Sequence, residues 1–163
     1  MEKITMLRVL ARRLLAPLLA LLLCEVTPAE AADRPTVSIG DVSVLVDAAA
    51  TGEAAPELSR ALRATLKDEL SRVTGLAPVK QPLIVSATLT RLSSERRDDR
   101  TKTTANISLA LMRADDQVLF AELRGRASVE ESSGNLATLR RAALQGAVRG
   151  ALARLAEAVQ RSR

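Results

Sequence analysis

Three stretches in the second half of the chain alternate apolar and polar residues, with only short links between them. They cover residues 85–90, 104–111 and 119–129. A period of two residues is typical of a strand with one buried face and one wet face. Consecutive strands with short links pair most simply as an antiparallel meander. We expect the charged residues 95–102 and the turn residues 114–117 to form its two connections.

A strand and an amphipathic helix are predicted before the meander. Residues 37–46 alternate apolar and polar positions with one slip at Gly40-Asp41, where the glycine permits a bulge. Pro56 suits the first turn of a helix of about eighteen residues, and Gly75 is a natural stop. Apolar residues recur at spacings of three and four on one helix face. That face consists of Leu58, Leu62, Leu66, Leu70 and Val73.

A second helix is predicted over residues 136–160. Its apolar stripe consists of Leu144, Val148, Leu152, Leu155 and Val159. Gly146 and Gly150 each cost about 1 kcal/mol relative to alanine inside a helix, so we expect the helix to approach the sheet closely there. The predicted fold class is α+β with the order β-α-β-β-β-α: a four-stranded, mainly antiparallel sheet with two helices packed on one face.

The N-terminal residues have the pattern of a cleavable secretory signal. The apolar run 14–24 has about eleven residues, whereas a membrane-spanning helix needs roughly twenty. Ala29-Glu30-Ala31 fits the small-residue cleavage pattern. Four basic residues precede the apolar run: Lys3, Arg8, Arg12 and Arg13. We therefore predict a signal peptide at 1–31, a linker at 32–36 and a single domain at 37–163. The predicted product is periplasmic or secreted and has no transmembrane span after cleavage.

Cys24 permits a second interpretation of the N-terminal segment, as a lipoprotein signal. It is the single cysteine of the chain, with Leu23 before it and Glu25 after it. Bacterial lipoprotein signals place a small residue before the lipidated cysteine, so a lipid-anchored outer-membrane protein is the less favoured alternative. Cleavage after Ala31 would leave no cysteine, and therefore no disulfide, in the mature chain.

The usual catalytic constellations cannot be assembled from this sequence. The chain has no histidine, which excludes the common zinc sites and the Ser-His and Cys-His pairs. It has neither a G-x-x-x-x-G-K-[ST] nor a G-x-G-x-x-G stretch for binding phosphates. Acidic pairs at 98–99, 115–116 and 130–131 fall in predicted turns or at strand ends. We predict no catalytic residue, metal site or cofactor. The alternative is a periplasmic enzyme with an unusual Ser, Asp or Arg site.

Basic residues provide a candidate interaction surface. The sequence carries a formal net charge of +5 and contains one aromatic residue, a phenylalanine, so little surface is available for stacking on a base or sugar. Several basic residues lie in the stretch 95–102 or on predicted wet faces, and Arg113 lies at a neighbouring strand end. The candidates are Arg91, Arg96, Arg97, Arg100, Lys102, Arg124 and Arg126. Such a surface suits an envelope protein or an anionic envelope component such as a lipid headgroup or glycan.

The predicted order of elements resembles two kinds of domain. Double-stranded-RNA-binding domains share the order helix, three strands, helix. They bind phosphates through lysine residues at the start of the second helix. Here residues 134–138 carry no charge, and Arg140 and Arg141 follow them. Because export would also separate the protein from RNA, we predict no nucleic-acid partner.

With the secretion signal included, residues 37–159 resemble the small periplasmic modules of TolB N-terminal and CsgG-like envelope-assembly proteins. The resemblance rests on the architecture and on the last helix, which is rich in alanine and glycine. It implies a non-enzymatic binding or assembly component of the bacterial cell envelope. We expect the edge of the first strand or the tip at 95–102 to contact the partner.

Overall fold

The computed structural model describes residues 37–46, 53–74, 81–132 and 135–162, all within one compact unit, Arg34–Arg163. These residues form β1 (Val37–Val44), α1 (Ala55–Arg72), β2 (Leu83–Arg97), β3 (Arg100–Arg113), β4 (Leu119–Glu131), α2 (Leu136–Leu152) and α3 (Leu155–Arg161). Among them, no helix has the length and apolar character needed to cross a membrane. The predicted signal peptide, the linker and Cys24 lie outside the described residues, as does the predicted helix stop at Gly75.

The four strands form one sheet in the order β1-β2-β3-β4. β1 is parallel to β2, and α1 lies between them in the chain, whereas β2, β3 and β4 pair antiparallel. This arrangement confirms the predicted α+β fold with a mainly antiparallel sheet. The first hairpin is longer than the sequence pattern indicates, because pairing continues through Arg97 and Arg100 and leaves Asp98-Asp99 as the turn.

The core lies between the helices and one face of the sheet, as predicted. Leu62 of α1 and Val148 of α2 are both 0% exposed. They pack with the inward-facing residues of β2 and β3, including Val85 and Leu109. These side chains are almost all aliphatic, and burying each larger one contributes roughly 1.5 to 3 kcal/mol.

The bulge predicted at Gly40-Asp41 is confirmed by a register shift between Ile39 and Val42. A Cβ atom at Gly40 would lie 2.6 Å from the Ser86 Oγ atom, closer than real Cβ contacts. Glycine therefore allows β1 to approach β2 closely at this point.

A second bulge lies in β2 between Leu89 and Arg91, where the pairing with β3 passes over Thr90. The extra residue reverses the alternation of faces. Leu92 therefore enters the core, where it is 3% exposed, and Arg91 points to the opposite face.

The last helical segment differs from the prediction of one helix over 136–160. It is interrupted at Ala153-Arg154, where the Arg154 N–H donates to the Ala151 carbonyl oxygen at 3.2 Å. This hydrogen bond joins residues three positions apart, as in a 3₁₀ turn, and it tightens the chain locally. Leu152 and Leu155 on either side of the turn both remain buried, so packing on the core is continuous across the break.

Close packing against the sheet explains one of the two glycines of α2 but not the other. A Cβ atom at Gly146 would lie 2.8 Å from the Ala127 Cβ atom on β4, which confirms the predicted close approach. At Gly150 no described atom outside its own stretch of helix lies within 4 Å of the Cβ position, so the packing explanation is wrong there. The closest approach involves the strand itself, because a Cβ at Gly125 would lie 2.0 Å from the Ala147 carbonyl oxygen.

Candidate functional site

The face of the sheet opposite the helices, here called the outer face, is not covered by any described element. Its side chains alternate with buried ones along β2, β3 and β4. Many carry hydroxyl groups that pair across strands, as Ser43 with Thr88 at 2.9 Å and Thr104 with Ser128 at 2.8 Å. Where these hydroxyl pairs lie, the outer face is hydrophilic and can form hydrogen bonds with a ligand; its other end, at Met112 and the exposed Leu119, is apolar.

A polar depression of about 110 Å³ lies on the outer face where the β2–β3 hairpin projects from the sheet. It is lined by Arg91, Ser93, Glu95, Lys102, Thr104 and Arg126. The strand register explains the grouping, because Glu95 pairs with Lys102 and Ser93 with Thr104 across β2 and β3. The structure thus brings together three of the predicted interaction residues, one from each strand of the meander.

Two other predicted residues lie near the depression but are paired with carboxylates. Arg100 lies 3.6 Å from a Glu130 carboxylate oxygen, and the Arg124 Nε atom donates to Glu122 at 3.1 Å. Both arginines are well exposed, so these pairs contribute little to stability. They do reduce the free positive charge that Arg100 and Arg124 can offer to a partner.

The remaining predicted basic residues do not join this group. Arg96 and Arg97 are exposed beside the hairpin turn, and strand alternation directs them to opposite faces. Arg113 lies at the other end of β3 and forms a two-pronged pair with Asp116, with contacts of 3.2 and 2.6 Å. Hydrogen bonding to Asp116 raises the pKa of Arg113, and the same contact lowers the pKa of the Asp116 carboxyl.

One described arrangement has the composition of an unusual serine site. The Ser108 hydroxyl donates to Glu122 at 2.8 Å, and Arg124 donates to the same oxygen. The hydrogen bond from Ser108, followed by that from Arg124, lowers the pKa of Glu122. A carboxylate with a lowered pKa is a weaker base, so this geometry does not activate Ser108 as a nucleophile.

The most strongly perturbed carboxyl group lies on the helix side, at Glu69 of α1. Its side chain is 5% exposed and accepts hydrogen bonds from Gln145 at 2.8 Å and from Arg149 at 3.1 Å, both on α2. Arg72 adds a contact of 2.8 Å from within α1. The hydrogen bond from Arg149, and then that from Gln145, lowers the pKa of Glu69 to about 2. Glu69 is therefore ionised at neutral pH and links α1 to α2; it cannot serve as a general acid there.

Sequence reasoning missed Glu69, although a signal was present. The residue follows Leu62 by seven positions and Leu66 by three, which places it on the apolar face of α1. A carboxylate at such a position requires a buried partner. The partner was not evident because Arg149 lies 80 residues away in the sequence.

Two depressions lie on the helix side. One of about 360 Å³ adjoins the Glu69 contacts, and its lining includes Leu152 and Ala156. Another of about 420 Å³ lies between α1 and α2 and is bordered by Arg140. The Arg140 Nη1 atom donates to Glu53 at 2.8 Å, so this arginine is committed to an internal contact. The described part of the chain holds no group of three or more His, Cys, Asp or Glu residues arranged to bind a metal ion.

No protein-family model and no curated protein matches this sequence. Two solved structures share its fold at 12% sequence identity. The hypothetical protein CT253 from Chlamydia trachomatis matches with a TM-score of 0.55 over 77% of this chain and 98% of its own. The protein XCC0632 from Xanthomonas campestris, described by the family model DUF330, matches with a TM-score of 0.54 over 78% and 87%.

A minor lipoprotein from Acinetobacter baumannii also matches, with 7% identity over 75% of this chain and 90% of that one. Its TM-score of 0.45 is too low to compare the two folds. None of these three proteins is described as a TolB or CsgG-like protein, so that finer resemblance stays a prediction. At these identities the comparisons show that the α+β architecture of this chain occurs in other bacterial proteins.

Proposed function

We propose that this chain is an exported, non-enzymatic binding or assembly module of the bacterial cell envelope, and that it holds its partner on the outer face. The observation that carries the proposal is the contrast between the two sides of the sheet. One side is closed by α1 and α2 over an aliphatic core, whereas the other presents hydroxyl and charged side chains that no described element covers. An uncovered hydrophilic sheet face provides a large area for contact without any change in the core.

The N-terminal sequence pattern supports export, and the basic residues of the outer face favour an anionic partner. The β2–β3 hairpin and the edge strand β1 border this face, so the predicted tip and strand edge belong to the same proposed surface. β1 lies at one end of the sheet order, where an edge strand can pair with an added strand. The Val42 and Gly40 carbonyl oxygens of β1 already accept hydrogen bonds from Ser59 and Arg63 of α1, so strand addition would use the remaining main-chain groups or displace these contacts.

Two other interpretations have weaker support. An enzyme with a serine site would need a basic carboxylate, whereas the pKa of Glu122 beside Ser108 is lowered. An RNA-binding domain would need free cations at the start of α2, whereas Arg140 is paired with Glu53 and is mostly buried. Arg141 beside it is exposed, but a single arginine does not replace the lysine-rich helix start that such a domain uses.

Site-specific photo-crosslinking in the native bacterium tests the proposal. We expect a photoreactive residue at Ser43 or Ser128, both exposed on the outer face, to capture the same envelope component. The matched control is Lys67, which is exposed on α1. Equal capture from Lys67, or no capture from either outer-face position, would contradict the proposal. Accumulation of the chain in the cytoplasm would contradict its export.

A further inference from the structure

We propose that the polar depression on the outer face binds the phosphoryl group of a phosphorylated sugar. The inference rests on the proposed function of the outer face as the binding surface and names the chemistry of its ligand. The three cations that line the depression, Arg91, Lys102 and Arg126, carry the argument.

These cations are available to a ligand. Among the described residues, none of the three side chains forms a hydrogen bond within 3.5 Å or an ion pair within 4.0 Å. By contrast, nearby Arg100 and Arg124 are each paired with a glutamate. Cations that have no internal partner but converge on one depression favour an anion from outside.

The charge of the depression matches a phosphomonoester better than a carboxylate. Glu95 is its one acidic lining residue, so the lining carries a formal net charge of +2. Glu130, opposite Lys102 on β4, lies outside the lining and contacts Arg100. A phosphomonoester carries about −1.5 to −2 charges at pH 7, whereas a carboxylate carries one. Two arginines also suit phosphate, because the planar guanidinium can donate two parallel hydrogen bonds to its oxygens.

Acceptor groups in the lining favour a ligand that also carries hydroxyl donors. The Glu95 carboxylate lies beside the three cations, and the Ser93 and Thr104 hydroxyl oxygens can also accept hydrogen bonds. A sugar phosphate supplies hydroxyl donors beyond its phosphoryl group, which inorganic phosphate does not.

The size of the depression fits one group of a larger ligand. Its volume of about 110 Å³ is well below the roughly 300 to 1,000 Å³ of pockets that enclose a small molecule. The phosphoryl group would occupy the depression, and the sugar would lie over neighbouring hydroxyls such as Ser93 and Thr104. Recognition then depends on charge and hydrogen bonds, which agrees with the lack of aromatic surface for stacking.

The test is a chemical-shift titration of the ¹⁵N-labelled full chain with glucose 6-phosphate, inorganic phosphate, glucuronate and glucose. We expect glucose 6-phosphate to bind most tightly and to shift amides of β2, β3 and β4 around the depression. Its affinity should fall roughly threefold to tenfold between pH 7.5 and 5, because only about a tenth of a phosphomonoester remains dianionic at pH 5.

Three exposed positions supply the variants. Arg126→Gln and Lys102→Gln should each weaken binding about tenfold, the loss expected for one charge-assisted hydrogen bond. Arg124→Gln is the matched control, since this arginine lies on the same strand and face as Arg126 but is paired with Glu122. It should leave the affinity within about twofold.

Several results would overturn the inference. If glucuronate bound as tightly as glucose 6-phosphate, the site would not be specific for a phosphoryl group. If inorganic phosphate bound as tightly, the sugar would contribute nothing to recognition. If Arg124→Gln weakened binding as much as Arg126→Gln, binding would depend on the general positive charge of the surface and not on the depression. The proposed function is tested separately: failure of this titration with successful crosslinking at Ser43 and Ser128 would refute the ligand but retain the binding face. Successful binding of glucose 6-phosphate with no crosslinking at Ser43 or Ser128 would support the phosphoryl site and contradict the proposed envelope partner.

Discussion

Replacing Glu69 with glutamine should destabilise the fold at neutral pH and do so by roughly half as much at about pH 3. The pKa of this carboxyl falls from 4.5 to about 2 in the folded protein, chiefly because Arg149 and Gln145 donate hydrogen bonds to it. One pKa unit corresponds to about 1.4 kcal/mol, so ionised Glu69 contributes about 3 kcal/mol to the free energy of unfolding. Glutamine keeps the shape and one acceptor oxygen, and we therefore expect a loss of about 2 to 3 kcal/mol at pH 7.

The pH dependence follows from the direction of the shift. Because the folded-state pKa is depressed, the contribution is complete above the unfolded value of 4.5 and is lost as the pH falls towards 2. By about pH 3 roughly half of it should be gone. Urea unfolding followed by far-UV circular dichroism, at pH 7 and at about pH 3, measures both quantities. Asp68→Asn is the matched control, since Asp68 is the preceding residue of α1 and is exposed; its effect should stay below about 0.5 kcal/mol.

A penalty for Glu69→Gln that is equal at both pH values would refute this reasoning. It would show that glutamine disturbs packing at the interface of α1 and α2, and that the charge of Glu69 contributes nothing. A penalty below about 0.5 kcal/mol at pH 7 would likewise show that desolvation of the carboxylate cancels its hydrogen bonds.

Three further predictions concern backbone positions. Gly125→Ala should cost about 3 kcal/mol or more, because its Cβ would lie 2.0 Å from the Ala147 carbonyl oxygen. Gly150→Ala should instead stabilise by about 0.5 to 1 kcal/mol, since no described atom outside its own stretch of helix lies within 4 Å of its Cβ. Urea unfolding of both variants checks this contrast, and a Gly125→Ala variant as stable as the wild type would contradict it. Asp98 has a φ of 51°, so Asp98→Gly should raise the melting temperature by a few degrees; a lower value would show that the aspartate side chain stabilises the turn.

The sequence predicts most of the fold because its periodic segments are long and each has one apolar face. The leucines of α1 and the alternation in β2, β3 and β4 therefore identify most of their buried positions correctly. Leu119 at the start of β4 is an exception, since it is 56% exposed where the register shifts. The bulge at Gly40-Asp41 was also predictable, since the apolar phase slips there and a glycine marks the place. These features all depend on neighbours that are close in sequence.

The features that sequence reasoning missed depend on distant contacts or on small phase changes. The spacing of three between Leu89 and Leu92 is the local sign of the bulge that directs Arg91 outward. The break at Ala153-Arg154 has no glycine or proline to mark it, because both residues are compatible with a continuous helix. The charged depression required the register of three strands, which brings Arg91 and Arg126 into one row.

The two sides of the sheet have separate physical roles, and this separation makes the proposed site testable. Stability resides in the aliphatic layer under α1 and α2 and in the link from Glu69 to Arg149. The side chains of Arg126 and Lys102 form no ion pair within the described residues that their replacement would break, so Arg126→Gln and Lys102→Gln should leave the unfolding free energy within about 0.5 kcal/mol. A loss of ligand affinity in these variants can then be assigned to the missing charge, because the fold that positions the remaining residues is unchanged.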